Sequence, residues 1–129
     1  MHILDPADTE AKPGSPDYFT GTVALRNLDT PGADPVKLIR VEFPTRARTN
    51  WHTHSGVQVL VVLSGRCRFQ HWGGPIGEAT AGETLYIPPG EKHWHGATPD
   101  GPMAHLAVNV ALETEWLDEV TEEQYRHQP

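Results

Sequence analysis

Residues 50–65 read Asn-Trp-His-Thr-His-Ser-Gly-Val-Gln-Val-Leu-Val-Val-Leu-Ser-Gly, and this stretch predicts two short β-strands in succession. The first runs from Asn50 to His54, and the second runs from Gln58 to Leu63, where Ser-Gly marks a turn. Short strands that end at turn residues are typical of a β-rich chain.

The histidines of the first strand share one face. Because side chains alternate across a strand, His52 and His54 point the same way, a few ångströms apart, and Gln58 continues the same parity. Neutral imidazoles and an amide oxygen are ligands that divalent metals accept, and a third imidazole, from His93 or His95, would complete a site. One His-x-His pair also fits a hydrogen-bonded core, but two pairs on adjacent strands favour a metal.

The pattern of strands and turns continues through most of the chain. Strands at intervals of roughly ten residues are typical of an all-β sandwich or barrel. Near the C-terminus, Thr121 and Gln124 fit the capping box of one short helix. Further strands are predicted over 18–28, 36–43, 66–72, 82–87, 93–95 and 103–112, with a loop over 29–35.

The chain is predicted to form one domain. Its 129 residues suffice for one hydrophobic core and are too few for two. Residues 1–16 contain three prolines and no core pattern, which predicts a loose N-terminal arm. The domain itself is therefore expected over residues 17–129.

Composition and charge exclude several classes of function. Ten Lys and Arg against seventeen Asp and Glu give a net charge of −7, which disfavours nucleic acid as a partner. A single cysteine, Cys67, forms no disulfide within the chain, and the first residues show no secretory signal pattern. The longest aliphatic run, residues 59–63, is far too short to span a membrane. We therefore expect a cytoplasmic protein that binds neither membranes nor nucleic acid.

Two spaced motifs resemble those of the cupins. His52-Thr-His54, three residues, Gln58, six residues and Gly65 resemble the first cupin motif. Gly82, five residues, Pro88-Pro-Gly90, two residues and His93 resemble the second. The resemblance implies a small antiparallel jelly-roll barrel of six to eight strands with a divalent metal near one mouth. Its metal ligands would map to His52, His54, Gln58 and His93.

Two positions depart from the general cupin pattern, and one of them, Gln58, narrows the resemblance to a subgroup that carries Gln there. Gln58 stands where most cupins have Glu, and Ala97 stands where they have Asn. An amide in place of a carboxylate leaves the metal a stronger Lewis acid toward an oxygen ligand. From about residue 17 to residue 126, the chain is similar to the bacterial cupin hydroxynitrile lyases, which use manganese. The resemblance implies a manganese-dependent lyase that adds cyanide reversibly to aldehydes, while Fe, Ni, Co and Zn also suit these ligands.

Three further polar residues are expected beside the metal. His105, Ala107 and Asn109 share one face of the last long strand, and His95 lies two residues from His93. An inward His beside a metal is either a structural hydrogen-bonding group or a general base, and both readings stay open for His105. The resemblance implies that His105 is the base and that His95 and Asn109 place the leaving group. His2, His71 and His127 are expected at the surface.

Two other functions fit the same sequence. One is a cupin oxygenase or isomerase of the quercetinase type, and the other is a non-catalytic barrel that binds a metal or a small molecule. In the preferred interpretation the partner is a small-molecule substrate. Because an isolated barrel has open sheet edges, we also expect a homodimer or homotetramer.

Overall fold

The structure, a computed structural model, describes residues 1–28 and 35–127. The loop predicted over 29–35 lies almost entirely outside the described residues, as do the last two residues of the predicted domain. No helix among the described residues is long and apolar enough to cross a membrane.

Short antiparallel strands make up most of the fold. A 3-10 helix at Pro6–Asp8 precedes them, and the α-helix Glu122–Arg126 (α1) follows them. The strands are Lys12–Pro13 (β1), Phe19–Thr20 (β2), Ala24–Leu28 (β3), Val36–Phe43 (β4), Arg48–Thr49 (β5), His52–His54 (β6), Val57–Ser64 (β7), Arg66–His71 (β8), Gly77–Thr80 (β9), Thr84–Ile87 (β10), His93–Ala97 (β11), Met103–Val110 (β12) and Thr114–Trp116 (β13).

The strands form two antiparallel sheets. The first, sheet A, has the order β1-β3-β4-β12-β7-β10. The second, sheet B, has the order β13-β6-β11-β5-β2, and β8 joins it by pairing with β11 and with β9. The prediction of an all-β jelly-roll barrel with a short C-terminal helix is confirmed. The predicted capping box is present too: Thr121 accepts from the backbone of Gln124, whose side chain accepts from the backbone of Thr121.

The structure adds elements that the sequence pattern did not predict. Strands β9 and β13 are each four residues or fewer, too short to show a period of two. Residues 1–16, predicted as a loose arm, contain the 3-10 helix, and β1 pairs with β3. The division of the chain at residue 17 stays a prediction.

Strand β12 lies at the centre of sheet A and carries the predicted alternation. His105 and Ala107 are buried, and they pair across the sheet with Val62 and Leu60 of β7. The intervening residues point to the other side of the sheet, where Val110 is exposed. Strand β12 therefore lines the barrel interior with both a polar side chain, His105, and an apolar one, Ala107.

The C-terminal segment is fixed to the outside of sheet B by Tyr125. Its ring is fully buried against Trp94, and its hydroxyl donates to the carbonyl of Ala97 over 2.6 Å. Two buried arginines hold the surrounding backbone: Arg68 donates to the carbonyl of Tyr125, and Arg48 donates to that of Val120. Since Trp94 lies between His93 and His95, this packing also supports the strand that carries them.

Removing the hydroxyl of Tyr125 should destabilise the protein. The variant Tyr125→Phe should lose about 1–2 kcal/mol of unfolding free energy in urea titration, because the buried carbonyl of Ala97 loses its donor. Tyr125→Ala should lose about 3–5 kcal/mol through the cavity it leaves. Tyr18→Phe is the control, since the Tyr18 hydroxyl has no partner among the described residues and its ring is partly exposed. Equal effects of the two Phe variants would contradict the role given to Tyr125.

Candidate metal centre

Strand pairing brings the two His-x-His segments into contact. His52 in β6 and His93 in β11 are direct cross-strand partners, and their ring centroids lie 4.2 Å apart. His54 lies 5.3 Å from the ring of His93, and His95 lies 5.4 Å from the ring of His52. All four rings are buried, so the structure gathers them in one cluster inside the barrel.

Two of these histidines are held in one orientation by the backbone. The Nδ1 atom of His52 lies 2.8 Å from the carbonyl oxygen of Asn50, and Nδ1 of His93 lies 2.8 Å from that of Glu91. A carbonyl only accepts, so each neutral ring carries its hydrogen on Nδ1 and keeps a lone pair on Nε2. This is the tautomer in which a histidine binds a metal through Nε2.

His54 and Gln58 belong to a chain of hydrogen bonds that crosses the barrel. Nδ1 of His54 contacts the hydroxyl of Thr114 at 2.9 Å, and its Nε2 contacts Oε1 of Gln58 at 3.0 Å. The Gln58 amide in turn donates from Nε2 to Oδ1 of Asn109 over 2.9 Å. These contacts fix the amide with its oxygen toward His54. Because an amide oxygen only accepts, Nε2 of His54 donates in this contact. With the hydrogen on Nδ1 instead, the two atoms would be close enough together to hold one ion.

His95 and His105 form a second pair beside the cluster. Nε2 of His105 lies 3.2 Å from Nδ1 of His95, and the two ring centroids are 5.0 Å apart. The ring of Phe43 lies against both, at 5.2 Å from His105 and 6.0 Å from His95. Phe43 of the apolar core thus packs against the pair, and the ring of His95 also lies near those of His52 and His93.

The residues present fit a divalent cation. Ligand atoms of His52, His93 and His95 all lie within 4.8 Å of one another. Among the described residues, Nε2 of His93, Nε2 of His95 and Nδ1 of His105 are buried without a hydrogen-bond partner. A buried polar atom without a partner costs free energy, and a bound cation would remove that cost. A metal ion can therefore be held by this buried histidine cluster.

The three histidines whose ligand atoms lie close together differ in part from the ligands expected from the sequence. Both sets contain His52 and His93. His95 completes the group whose ligand atoms lie within 4.8 Å of one another, whereas the cupin resemblance adds His54 and Gln58, whose side chains bond to each other here. The structure brings all seven sequence-predicted site residues into one region, and their separate roles stay predictions.

Burial keeps the imidazoles neutral. It lowers the pKa of His93 and of His105 from 6.5 to about 4. Burial also lowers the pKa of His52, His54 and His95, and neighbouring histidines lower those of His52 and His95 further. No carboxylate of the described residues is among the groups that shift these values. Neutral imidazole is the form that binds a metal and the form that accepts a proton.

Sequence reasoning missed the residues that support the cluster from β13. Thr114 pairs with His54 across the strands, and Trp116 pairs with His52, whose ring lies 4.7 Å from the indole. A three-residue strand carries too little pattern to be recognised, so neither residue had a signal. Cys67 lies outside the cluster in the apolar core, where burial raises the pKa of its thiol to about 12.

Comparison with known proteins agrees with this geometry. Residues 39–109 match the family described as Cupin domain. The chain is 43% identical over 117 residues to an (R)-mandelonitrile lyase of Granulicella tundricola, and the match covers 88% of this chain and 89% of that protein.

Solved structures give the same result for the fold. A cupin-like protein of Thermotoga maritima superposes with a TM-score of 0.84 at 39% identity, covering 88% of this chain and 90% of that one. A polyketide cyclase of Streptomyces resistomycificus superposes with a TM-score of 0.72 at 28% identity, covering 97% and 90%. With its two spaced motifs, its jelly-roll topology and these relatives, the chain belongs to the cupin family.

Proposed function

We propose that the protein is a metal-dependent hydroxynitrile lyase that cleaves cyanohydrins reversibly into an aldehyde and hydrogen cyanide. The observation that carries the proposal is the 43% identity to an (R)-mandelonitrile lyase over 88% of this chain. The buried cluster of neutral imidazoles supports it, because the reaction needs a proton acceptor that stays uncharged in a site shielded from water. The single cysteine is consistent with a cytoplasmic enzyme, where thiols stay reduced.

The proposed metal ligands are His52, His54, Gln58 and His93, with manganese as the ion that the resemblance to the bacterial lyases implies. When bound, a divalent cation supplies Lewis acidity that lowers the pKa of a substrate hydroxyl. The ligand residues contribute no negative charge, since three are neutral imidazoles and one is an amide. Asn109 holds that amide by accepting from its NH₂ group, which keeps the oxygen of Gln58 on the side of His54, the other proposed ligand.

The proton of the substrate hydroxyl goes to the His95–His105 pair, with His105 as the base. When Nε2 of His105 carries the hydrogen and donates to Nδ1 of His95, Nδ1 of His105 keeps its lone pair. That nitrogen has no hydrogen-bond partner among the described residues, so its lone pair can accept the proton of the substrate hydroxyl. The same tautomer leaves a hydrogen on Nε2 of His95, whose ring lies 5.4 Å from that of His52 and 5.7 Å from that of His93, and this hydrogen can be donated to the departing cyanide.

The bonds and charges of the reaction balance without a redox partner. The hydroxyl loses its proton to the base, the oxygen's electron pair forms the carbonyl, and the carbon–carbon bond to the nitrile breaks. Its electron pair leaves with cyanide, which then takes a proton to give hydrogen cyanide. The chain's own residues accept, hold and return that one proton.

The first test is release of benzaldehyde from mandelonitrile, followed by ultraviolet absorbance. Manganese-loaded protein should release it faster than protein stripped with a chelator, and His105→Ala should reduce turnover by about 10²–10⁴-fold, the usual contribution of a general base. His71→Ala is the matched control at an exposed histidine and should keep full turnover.

Two results would count against these assignments. Equal release by loaded and stripped protein removes the proposal of a metal-dependent lyase, and oxygen uptake with a flavonol would then favour the oxygenase alternative. Lyase turnover that survives in His105→Ala removes the base assignment alone.

Metal content separates the two candidate ligand sets. His54→Ala should purify with little manganese, because it removes a proposed ligand, whereas His95→Ala should retain the ion and lose turnover. Elemental analysis and titration with added manganese measure this directly. The opposite result, with metal kept in His54→Ala and lost in His95→Ala, would assign the ion to His52, His93 and His95.

Acid should destabilise the metal-free protein over a defined range of pH. The folded-state pKa of His93 and His105 is about 4, below the ordinary 6.5, so their protonation favours the unfolded chain. Their contribution to stability is complete above pH 6.5 and is lost as the pH falls toward 4. Each should add a slope of about 1.4 kcal/mol per pH unit to the unfolding free energy within that range.

Urea titrations between pH 7 and pH 4 measure this slope, with pH values chosen to bracket the two pKa values. His105→Gln should reduce it by about one proton. His71→Gln, at an exposed position, should leave it as in the unaltered protein. A slope unaffected by His105→Gln would show that this ring is not buried as a neutral group.

A further inference from the structure

The three imidazoles proposed as metal ligands differ in the group that contacts Nδ1. In His52 and His93 that group is a backbone carbonyl, which only accepts, so the hydrogen of each neutral ring stays on Nδ1. In His54 the group is the hydroxyl of Thr114, whose oxygen lies 2.9 Å from Nδ1. Because a hydroxyl can either donate or accept, His54 is the one of these three ligands whose tautomer is not determined by the partner of Nδ1.

The contact at the other nitrogen of His54 depends on which tautomer is present. Nε2 lies 3.0 Å from Oε1 of Gln58, and the Gln58 amide keeps this oxygen toward His54 by donating to Asn109. With the hydrogen on Nε2, His54 donates to Gln58, and its Nδ1 accepts from the Thr114 hydroxyl. With the hydrogen on Nδ1, His54 donates to the hydroxyl, and the lone pairs of Nε2 and Oε1 face each other. Two facing lone pairs repel, and a cation bound by both atoms removes the repulsion.

Strand pairing places the hydroxyl of Thr114 beside His54. Thr114 of β13 is the direct cross-strand partner of His54 in β6, so both side chains lie on the same side of sheet B. The next pair of residues is bonded twice: the backbone N–H of Ser55 donates to the carbonyl of Glu113 over 2.9 Å, and that of Glu113 donates to the Ser55 hydroxyl over 2.8 Å. Because His54 is only 5% exposed, water has little access to replace the Thr114 hydroxyl at Nδ1.

We propose that Thr114 is a positioning residue whose hydroxyl lets His54 exchange between its two tautomers. The hydroxyl accepts from Nδ1 when His54 and Gln58 bind one ion together, and it donates to Nδ1 when Nε2 of His54 bonds to Gln58 instead. One hydrogen moves from Nε2 to Nδ1 as the ion binds, and His54 carries one hydrogen before and after. The proposal rests on the proposed set of metal ligands and is independent of the reaction that they support.

The first test follows the tautomers by ¹⁵N NMR of histidine-labelled protein, with zinc as a diamagnetic divalent probe. In chelator-treated protein, His54 should carry its hydrogen on Nε2, and one equivalent of zinc should move that hydrogen to Nδ1. His52 and His93 should carry their hydrogen on Nδ1 in both samples, which makes them an internal reference. A His54 ring that keeps its hydrogen on Nε2 with zinc bound, or that already has it on Nδ1 without zinc, would overturn the proposal.

The second test measures the affinity of the protein for zinc by calorimetric titration. Thr114→Val keeps the shape of the side chain but removes the hydroxyl, and it should weaken zinc binding by about 10–100-fold, the usual effect of losing a group that orients a metal-bound histidine. Thr114→Ser keeps a hydroxyl and should retain most of the affinity. Thr53→Val is the matched control, because Thr53 lies between His52 and His54 in β6 with its side chain on the opposite side of the strand, and it should bind zinc as the unaltered protein does.

Neither readout depends on turnover, so a protein that fails to cleave mandelonitrile can still show the exchange of tautomers and the loss of affinity. Unchanged zinc binding in His54→Ala would remove the ligand assignment and this proposal with it. Full zinc affinity in folded Thr114→Val would overturn the role of the hydroxyl, and so would a Thr114→Ser variant that binds no more tightly than Thr114→Val. If Thr114→Val fails to fold, the NMR comparison on the unaltered protein decides the proposal by itself.

Discussion

Burying five imidazoles inside one small barrel costs free energy unless each ring nitrogen has a partner. The structure provides such partners in three ways. Backbone carbonyls accept from Nδ1 of His52 and His93, a threonine hydroxyl contacts His54, and His95 and His105 contact each other. Some ring nitrogens have no hydrogen-bond partner among the described residues, and Nε2 of His93 is one of them. Such a nitrogen marks the place where a cation fits. The positive charge of such a site would come from the ion, because the rings themselves are neutral at ordinary pH.

Strand β12 connects the interior chemistry with the outside of the molecule. Its odd-numbered residues His105, Ala107 and Asn109 face the cluster, while its even-numbered residues Val108 and Val110 lie on the opposite, outward side of sheet A. A shift of one residue in its pairing with β7 would exchange the two sets and place valines beside the cluster. The register of β12 is therefore specified by both sets of residues. The odd-numbered set must face the histidines, and the valines must face away from them.

The sequence predicted those parts of the fold whose signal is periodic and long enough to read. Alternation placed His52 with His54, and His105 with Asn109, on the correct faces, because these strands carry a clear period of two. It did not predict β13, so Thr114 and its contact with His54 were missed. Nor did spacing alone determine which ring nitrogens converge. His95 and His54 have equivalent positions in their pairs, and the difference between them arises from their tertiary contacts with His105 and with Gln58.

The carbonyls that orient His52 and His93 both belong to the residue two positions earlier in the chain, Asn50 and Glu91. Every amino acid supplies a backbone carbonyl, so exchange of either side chain leaves the acceptor in place. The orientation of these two rings therefore does not depend on which side chains stand at the positions that provide the carbonyls. His54, in contrast, contacts the hydroxyl of Thr114, which a single base change in the gene can remove. Divergence among descendants of this chain should accordingly be tolerated at 91 sooner than at 114, while position 50 is held for another reason, since the buried side chain of Asn50 donates to the carbonyls of Asp17 and Leu117.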